Sequence, residues 1–172
     1  MAFDPRYPDT SNSLNRVVIA DLPGELLPSD VKGKTGYDLL SSKRLKILIR
    51  DQAIMRGKDL YTDEELFTWF FSEFKKADLG LGYYLGCLLM TLVRGDEVNR
   101  KASPEWTNAH WELWASIRTV HLGGGLIIGD MGRVMAKYAQ TMLRERAGYT
   151  DFKVDVAAYP QYLPLLGAAR YI

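Results

Sequence analysis

The strongest constraint on the fold is a run of three consecutive glycines at residues 123–125, which lies between a strand pattern and a helix pattern. Residues 119–122 are typical of a short strand, and from 128 to 142 apolar residues recur three and four positions apart, as in an amphipathic helix. Residues 152–156 alternate apolar and polar side chains, which predicts a second, half-buried strand. This order predicts a parallel βαβ unit with a right-handed crossover, followed by a small-residue helix from Gln161.

The chain is expected to form a single α/β domain over residues 1–172, with a small mixed or parallel sheet flanked by helices. Residues 1–36 are rich in Pro, Gly, Ser, Asn and Asp and contain one short strand pattern at 17–20. Residues 37–117 are predicted to be mainly helical. Residues 118–172 contain the strand, glycine turn, helix, strand and closing helix.

Four helices are predicted in the central region. The first covers residues 37–56, and the second begins near Thr62, a plausible N-cap ahead of three acidic residues. In the next helix, Gly82 and Gly86 lie four positions apart, so one face is small enough for close packing. A further helix is predicted to start at Ser103-Pro104, because proline is favoured at the first helical position.

Composition and charge exclude several classes of protein. A net charge of +1 argues against a general nucleic-acid binder. The longest uncharged stretch, residues 79–93, is shorter than the roughly 20 apolar residues of a membrane span, and the first residues do not resemble a secretory signal. The only cysteine, Cys87, excludes a disulfide framework within the chain and is typical of an inert core thiol. We therefore expect a cytoplasmic protein with no nucleic-acid or membrane partner.

The glycine turn admits more than one interpretation. Glycine accepts positive φ and lets a ligand approach the backbone, and in open α/β sheets ligands lie outside the carboxyl ends of strands. A dinucleotide fingerprint fails, because Ile128 occupies the place of its third glycine, and Gly129 and Gly132 come too late. A phosphate loop is excluded, because no Lys-Ser or Lys-Thr pair follows a glycine as that motif requires. A ligand site at the turn and a purely structural use of the glycines both remain open.

Three segments carry a family resemblance: Val120-His121-Leu122-Gly123-Gly124-Gly125-Leu126, Leu81-Gly82-Tyr83-Tyr84-Leu85-Gly86 and Leu166-Gly167-Ala168-Ala169. Over about residues 60–172, their order resembles the C-terminal lobe of the sugar kinase and actin-like ATPase superfamily, and the ROK group of sugar kinases is nearest. The resemblance implies one lobe of the actin-like ATPase (ribonuclease H-like) fold. It also implies that Gly123, Gly124, Gly125 and Leu126 pack against the adenosine of ATP or ADP in a cleft between two lobes.

The chain departs from this family where the family binds phosphate and performs catalysis. It has no Asp-x-Gly-Gly-Thr motif, for which Asp21-Leu22-Pro23-Gly24 is the closest match, and it lacks the Asn-Asp pair and the cysteine-rich zinc segment. Phosphoryl transfer depends on positioning and charge stabilisation at the γ-phosphate, so the isolated chain is expected to be inactive. No catalytic or metal-binding residue is therefore assigned, and magnesium is expected only if a phosphate-binding lobe is supplied.

The resemblance implies the adenosine-side lobe of an ATP-dependent, ROK-like sugar kinase, expected to bind ATP or ADP but not to be catalytically complete alone. Its expected partner is a second kinase-like lobe or a homodimer partner. The alternative is a non-catalytic interaction or dimerisation module that keeps the fold of the lobe.

The histidines and tryptophans give weaker signals. His121 abuts the glycines, but with no serine, cysteine or second histidine nearby it is interpreted as a strand histidine held by a backbone bond. His110 is interpreted as a packing residue, and two histidines eleven positions apart with one cysteine do not have the spacing of a metal site. Trp106, Trp111 and Trp114 are interpreted as buried anchors rather than a wall on which a ligand stacks.

Overall fold

The computed structural model describes residues 13–73, 79–124, 127 and 130–162. These residues form helices and two small sheets, joined by turns and loops. Within these residues the fold is of the mixed α/β class, as the sequence predicts, and each sheet has two strands. The strands are β1 (Val18–Ile19), β2 (Lys34–Thr35), β3 (Thr119–Leu122) and β4 (Lys153–Val156). The helices are α1 (Gly36–Leu40), α2 (Ser42–Met55), α3 (Asp63–Glu73), α4 (Leu81–Arg94), α5 (Glu97–Ala102), α6 (Asn108–Ser116) and α7 (Asp130–Glu145).

The first sheet pairs β1 with β2 in antiparallel register, which confirms the strand predicted within residues 17–20. The other edge of β1 is covered by side chains from α5 and its C-terminus. The amides of Ala20 and Asp21 donate to Oδ1 of Asn99 at 2.9 and 3.1 Å, and Nδ2 of Asn99 donates to the Asp21 carbonyl at 2.8 Å. The Val18 amide donates to Oγ of Ser103 at 3.3 Å. Asn99 and Ser103 are fully buried. Their side chains satisfy backbone groups of β1 and the residues after it that a third strand would otherwise pair.

Two helix boundaries differ from the prediction. Residues 37–56 form two helices rather than one, because Ser41 adopts an extended conformation and its hydroxyl accepts from the Arg44 amide, which caps α2. The helix predicted at Ser103-Pro104 begins only at Asn108, and the preceding Thr107 forms a capping box with His110. The imidazole Nδ1 of His110 accepts from the Thr107 amide at 2.8 Å, a role that glutamate usually fills.

Other local predictions are confirmed. Helix α3 begins directly after Thr62, whose hydroxyl accepts from the Glu65 amide while the Glu65 carboxylate accepts from the Thr62 amide. Trp106 and Trp111 are buried with ring centroids 5.1 Å apart, and Trp114 is half-buried against the core.

The core is built around α4, which is buried on nearly all sides and packs most extensively on α7. Gly86 allows this approach, since a β-carbon at that position would stand 2.6 Å from Sδ of Met142. The close packing predicted for the small face of this helix is therefore found at Gly86. Among the residues described, no helix is both long and apolar enough to cross a bilayer.

Candidate functional site

The second sheet is the parallel βαβ unit that the sequence predicts. Strands β3 and β4 pair in parallel register, with Thr119 opposite Lys153 and Leu122 opposite Val156, and α7 connects them. Val154 is buried beneath α7. Both strands therefore end at the same edge, and the chain enters the glycine turn there.

Gly124 is held in a conformation that few residues other than glycine adopt. Its φ is +109°, and its amide donates to the carbonyl of Pro160, which follows β4, at 2.7 Å. Its own carbonyl accepts from the Ile127 amide at 3.2 Å. A β-carbon at Gly124 would meet no atom within 4 Å, and Gly123 before it is exposed. The turn is thus fastened to the chain after β4 while its glycine backbone borders open space.

Gly132 has the opposite surroundings. A β-carbon there would stand against the carbonyl oxygen of Ile127, so the absence of a side chain lets the end of the turn pack onto the first turns of α7. In the sequence, Gly132 was notable only as a glycine that comes too late for a dinucleotide fingerprint. Its contact was missed because Ile127 lies in a segment with no periodic pattern.

Part of the predicted site lies outside the described residues. This holds for Gly125 and Leu126, and for Leu166-Gly167-Ala168-Ala169 in the closing segment. Of the small-residue helix predicted from Gln161, the described portion is a 3₁₀ turn over Pro160–Tyr162. The structure therefore describes Gly123 and Gly124 of the four predicted binding residues.

His121 lies on the exposed face of the sheet. Strand alternation puts it on the same face as Thr119, Lys153 and Asp155, and all four are exposed. Within the described residues its ring has no hydrogen-bond partner, so the expected backbone bond to this histidine is wrong. The same described residues contain no group of three His, Cys, Asp or Glu side chains that could hold a metal ion.

Cys87 is confirmed as a core thiol. It is buried in α4, and burial raises the pKa of its thiol to about 11, although a hydrogen bond from Tyr83 works in the opposite direction. Since the thiolate is the reactive form, this cysteine is unreactive at neutral pH.

A groove of about 340 Å³ lies between α7 and β4. Its lining includes Arg133, Lys137, Gln140, Arg144, Val154 and Val156. The side chain of Gln140 reaches across it, and Oε1 accepts from the Val154 amide at 3.0 Å. The groove combines three cationic side chains with the outer edge of a strand. The amphipathic pattern over residues 128–142 predicts a polar face for this helix but does not indicate that this face borders β4.

A second cavity, of about 470 Å³, lies beside α1 and the start of α2. Its acidic groups are already engaged by the protein. The Tyr84 hydroxyl donates to Asp30 at 2.6 Å and accepts from Arg44 at 3.2 Å, while Thr35 donates to Asp38 through its hydroxyl and its amide. These bonds connect the N-terminal segment to α4 and cap α1, so the cavity is bordered mainly by a structural network.

Comparison with family models, with curated proteins and with solved structures finds no match for this chain.

Proposed function

We propose that this chain is the adenosine-side lobe of an ATP-dependent, ROK-like sugar kinase and binds ATP or ADP at the glycine turn. The observation that carries the proposal is the backbone of Gly124, which has a φ of +109° and open space where a side chain would project. A strand-to-helix turn of this kind lets a nucleoside approach the main chain closely.

The position of the turn supports the proposal. Ligands of open α/β sheets lie outside the carboxyl ends of parallel strands, and β3 and β4 both end beside Gly124. The hydrogen bond from Gly124 to Pro160 holds the turn before a ligand arrives, which lowers the entropic cost of binding. The open surface next to Gly123 is the place where the second lobe of a kinase-like cleft would complete the site.

The alternative function, an interaction or dimerisation module, is favoured by one observation on α2. Ile47, Ile54 and Met55 on this helix are 44, 66 and 69% exposed, which is unusual for large apolar side chains on one helix. A second copy of the chain would cover them. Sedimentation velocity of the parent and of Ile54→Glu tests dimerisation through α2: a dimer that Ile54→Glu dissociates supports it, and a monomer at all concentrations contradicts it.

Calorimetric titration with ADP tests the nucleotide proposal. We expect weak but measurable binding by the parent and a loss of about 10-fold or more in Gly124→Val, because the valine methyl groups fill the space that the nucleoside needs. Gly148→Val is the matched control, since Gly148 also has a positive φ, of +72°, and open space around it. Gly148 lies just after the C-terminal end of α7, whereas Gly124 lies before its N-terminal end, and the helix between them is roughly 24 Å long.

Both variants place a β-branched residue at positive φ and should lose similar stability in thermal melts, about 1–3 kcal/mol. Loss of affinity in Gly124→Val alone supports the proposal. Absence of binding by the parent at millimolar ADP, or equal affinity in both variants, contradicts it. Incubation with ATP, magnesium and a panel of sugars should release no ADP, since no residue set for the γ-phosphate is assigned.

A further inference from the structure

Within the described residues, the outer edge of β4 is covered at the Val154 amide by Gln140 and is open at Val156. The Lys153 amide donates to the carbonyl of Arg118, just before β3, at 2.8 Å, and the Ala157 amide donates to the carbonyl of Leu122 at 3.0 Å. The alternate residues Val154 and Val156 therefore direct their backbone groups away from β3. The Val154 amide is bonded to Gln140, and the Val156 amide has no partner among these residues. Such an edge can pair with another extended chain.

Cations from α7 lie along this edge. Arg133, Lys137 and Arg144 all border the groove, and Asp155 is the acidic residue among its described lining. Arg133 is paired with Asp130 at 3.0 Å, whereas Lys137 and Arg144 have no ion-pair partner in the described part of the chain. The groove therefore presents a positive charge that the described residues do not neutralise.

We infer that this groove binds an extended acidic segment of a partner protein, which adds a third strand to the sheet at the outer edge of β4. Recognition has two components. Because Gln140 already accepts from the Val154 amide, the backbone of the segment donates to the Val154 carbonyl and accepts from the Val156 amide, as a parallel strand would. Its acidic side chains, on the face toward α7, meet Lys137, Arg144 and Arg133.

The dimensions fit an extended peptide. Arg133 and Lys137 are separated by about 6 Å along the helix axis, which is close to the spacing of about 6.6 Å between alternate residues of a strand. Arg133 and Arg144 span about 16 Å, the length of roughly five extended residues. A peptide with acidic residues at alternate positions therefore places a carboxylate near each of the first two cations.

This inference does not depend on nucleotide binding. The groove runs along β4 and the outer side of α7, and Gly124 is not among its lining residues. Gly124→Val should therefore bind an acidic peptide as the parent does, so failure of one proposal is distinguishable from failure of the other.

Fluorescence anisotropy with a fluorescein-labelled seven-residue peptide of alternating Glu and Thr tests the inference on the full chain. We expect saturable binding that weakens with salt, and a loss of about tenfold in Lys137→Glu. Arg50→Glu is the matched control, because Arg50 is an exposed cation on α2 and is not among the lining residues of the groove, and it should bind within about twofold of the parent.

Two control peptides separate strand pairing from simple charge attraction. A peptide of the same sequence, N-methylated at alternate residues, keeps its charge but cannot donate along one edge, and it should bind at least about tenfold more weakly. A Lys-Thr peptide should not bind. Equal binding of the methylated peptide, or no effect of Lys137→Glu, overturns the inference.

Two further outcomes identify other occupants and also overturn it. Displacement of the Glu-Thr peptide by inorganic pyrophosphate, but not by sodium chloride of equal ionic strength, would identify a small-anion site. A dimer in sedimentation velocity that Lys137→Glu dissociates would identify a second copy of the chain at this edge. A monomer whose peptide binding weakens with salt, with Lys137→Glu and with N-methylation of the peptide, and which pyrophosphate does not displace, supports the inference.

Discussion

Gly86 of α4 lies directly against Met142 of α7, so close that a β-carbon on the glycine would stand 2.6 Å from Sδ and 3.2 Å from Cβ of the methionine. This contact joins the most buried helix to the helix that connects the two parallel strands. The position of α7, and with it that of the glycine turn and the groove, depends on this close approach.

Gly86→Ala should therefore destabilise the protein by about 1–3 kcal/mol in urea unfolding, because the added methyl group overpacks the contact. The expected sign is informative, since alanine in place of glycine ordinarily favours a helix by about 1 kcal/mol. The double variant Gly86→Ala/Met142→Ala should lose less free energy of unfolding than the sum of the losses in the two single variants, because the second change removes the clash. A stabilised Gly86→Ala, or strictly additive losses, would contradict the tight contact.

Asn99→Ala should cost about 3 kcal/mol, because it leaves the part-buried Ala20 and Asp21 amides without their acceptor and removes a side chain that is fully buried. Asn108→Ala is the control, since Asn108 is exposed and contacts Arg100 only at 3.4 Å, and it should change the free energy of unfolding by less than about 0.5 kcal/mol. Chemical denaturation of both variants measures the difference. Equal effects would show that α5 does not replace a third strand beside β1.

The cap of α1 should make part of the stability depend on acid pH. The backbone and hydroxyl hydrogen bonds from Thr35 lower the pKa of Asp38 below its usual value, with smaller contributions from Lys34 and Lys43. A carboxyl whose pKa is lower in the folded state stabilises the protein above its unfolded pKa of about 3.9, and this contribution is lost as the pH falls through the folded value.

Asp38→Asn should accordingly have a lower Tm than the parent at pH 7. The gap should narrow below about pH 4, where the carboxyl becomes protonated first in the unfolded chain and, at lower pH, in the folded protein. Asp59→Asn provides a control at an exposed aspartate between α2 and α3. Thermal melts by circular dichroism from pH 7 to pH 2.5 measure the gap. A gap that is independent of pH would mean that the charge on Asp38 does not contribute to the cap.

The elements that the sequence predicted best are those with a local cause. The order of β3, α7 and β4 follows from the period of the apolar residues, and the start of α3 follows from the Thr62–Glu65 capping box. In each of these cases the residues that determine the structure lie within one element or one turn of it.

The sequence-based predictions were wrong or missing where an element depends on a residue distant along the chain, or where its sequence pattern is too short to be distinctive. Strand β2 has two residues and therefore no period, and it exists because β1 pairs with it. The prediction of a helix at Pro104 relied on a positional preference, whereas the Thr107–His110 capping box begins α6 four residues later, at Asn108. The groove could not be predicted because it needs the register of α7 against β4.

The glycines show most clearly what each level of description determined. From the sequence alone, the glycine run between a strand and a helix predicted a turn at the carboxyl end of β3, because glycine interrupts both periodic patterns. Only the tertiary structure distinguished glycines required for packing from those that border open space. A β-carbon at Gly86 or Gly132 would collide with Met142 or Ile127, whereas one at Gly124 would meet no atom within 4 Å. That difference depends on which distant residues fold against each backbone position, and a linear pattern does not contain this information.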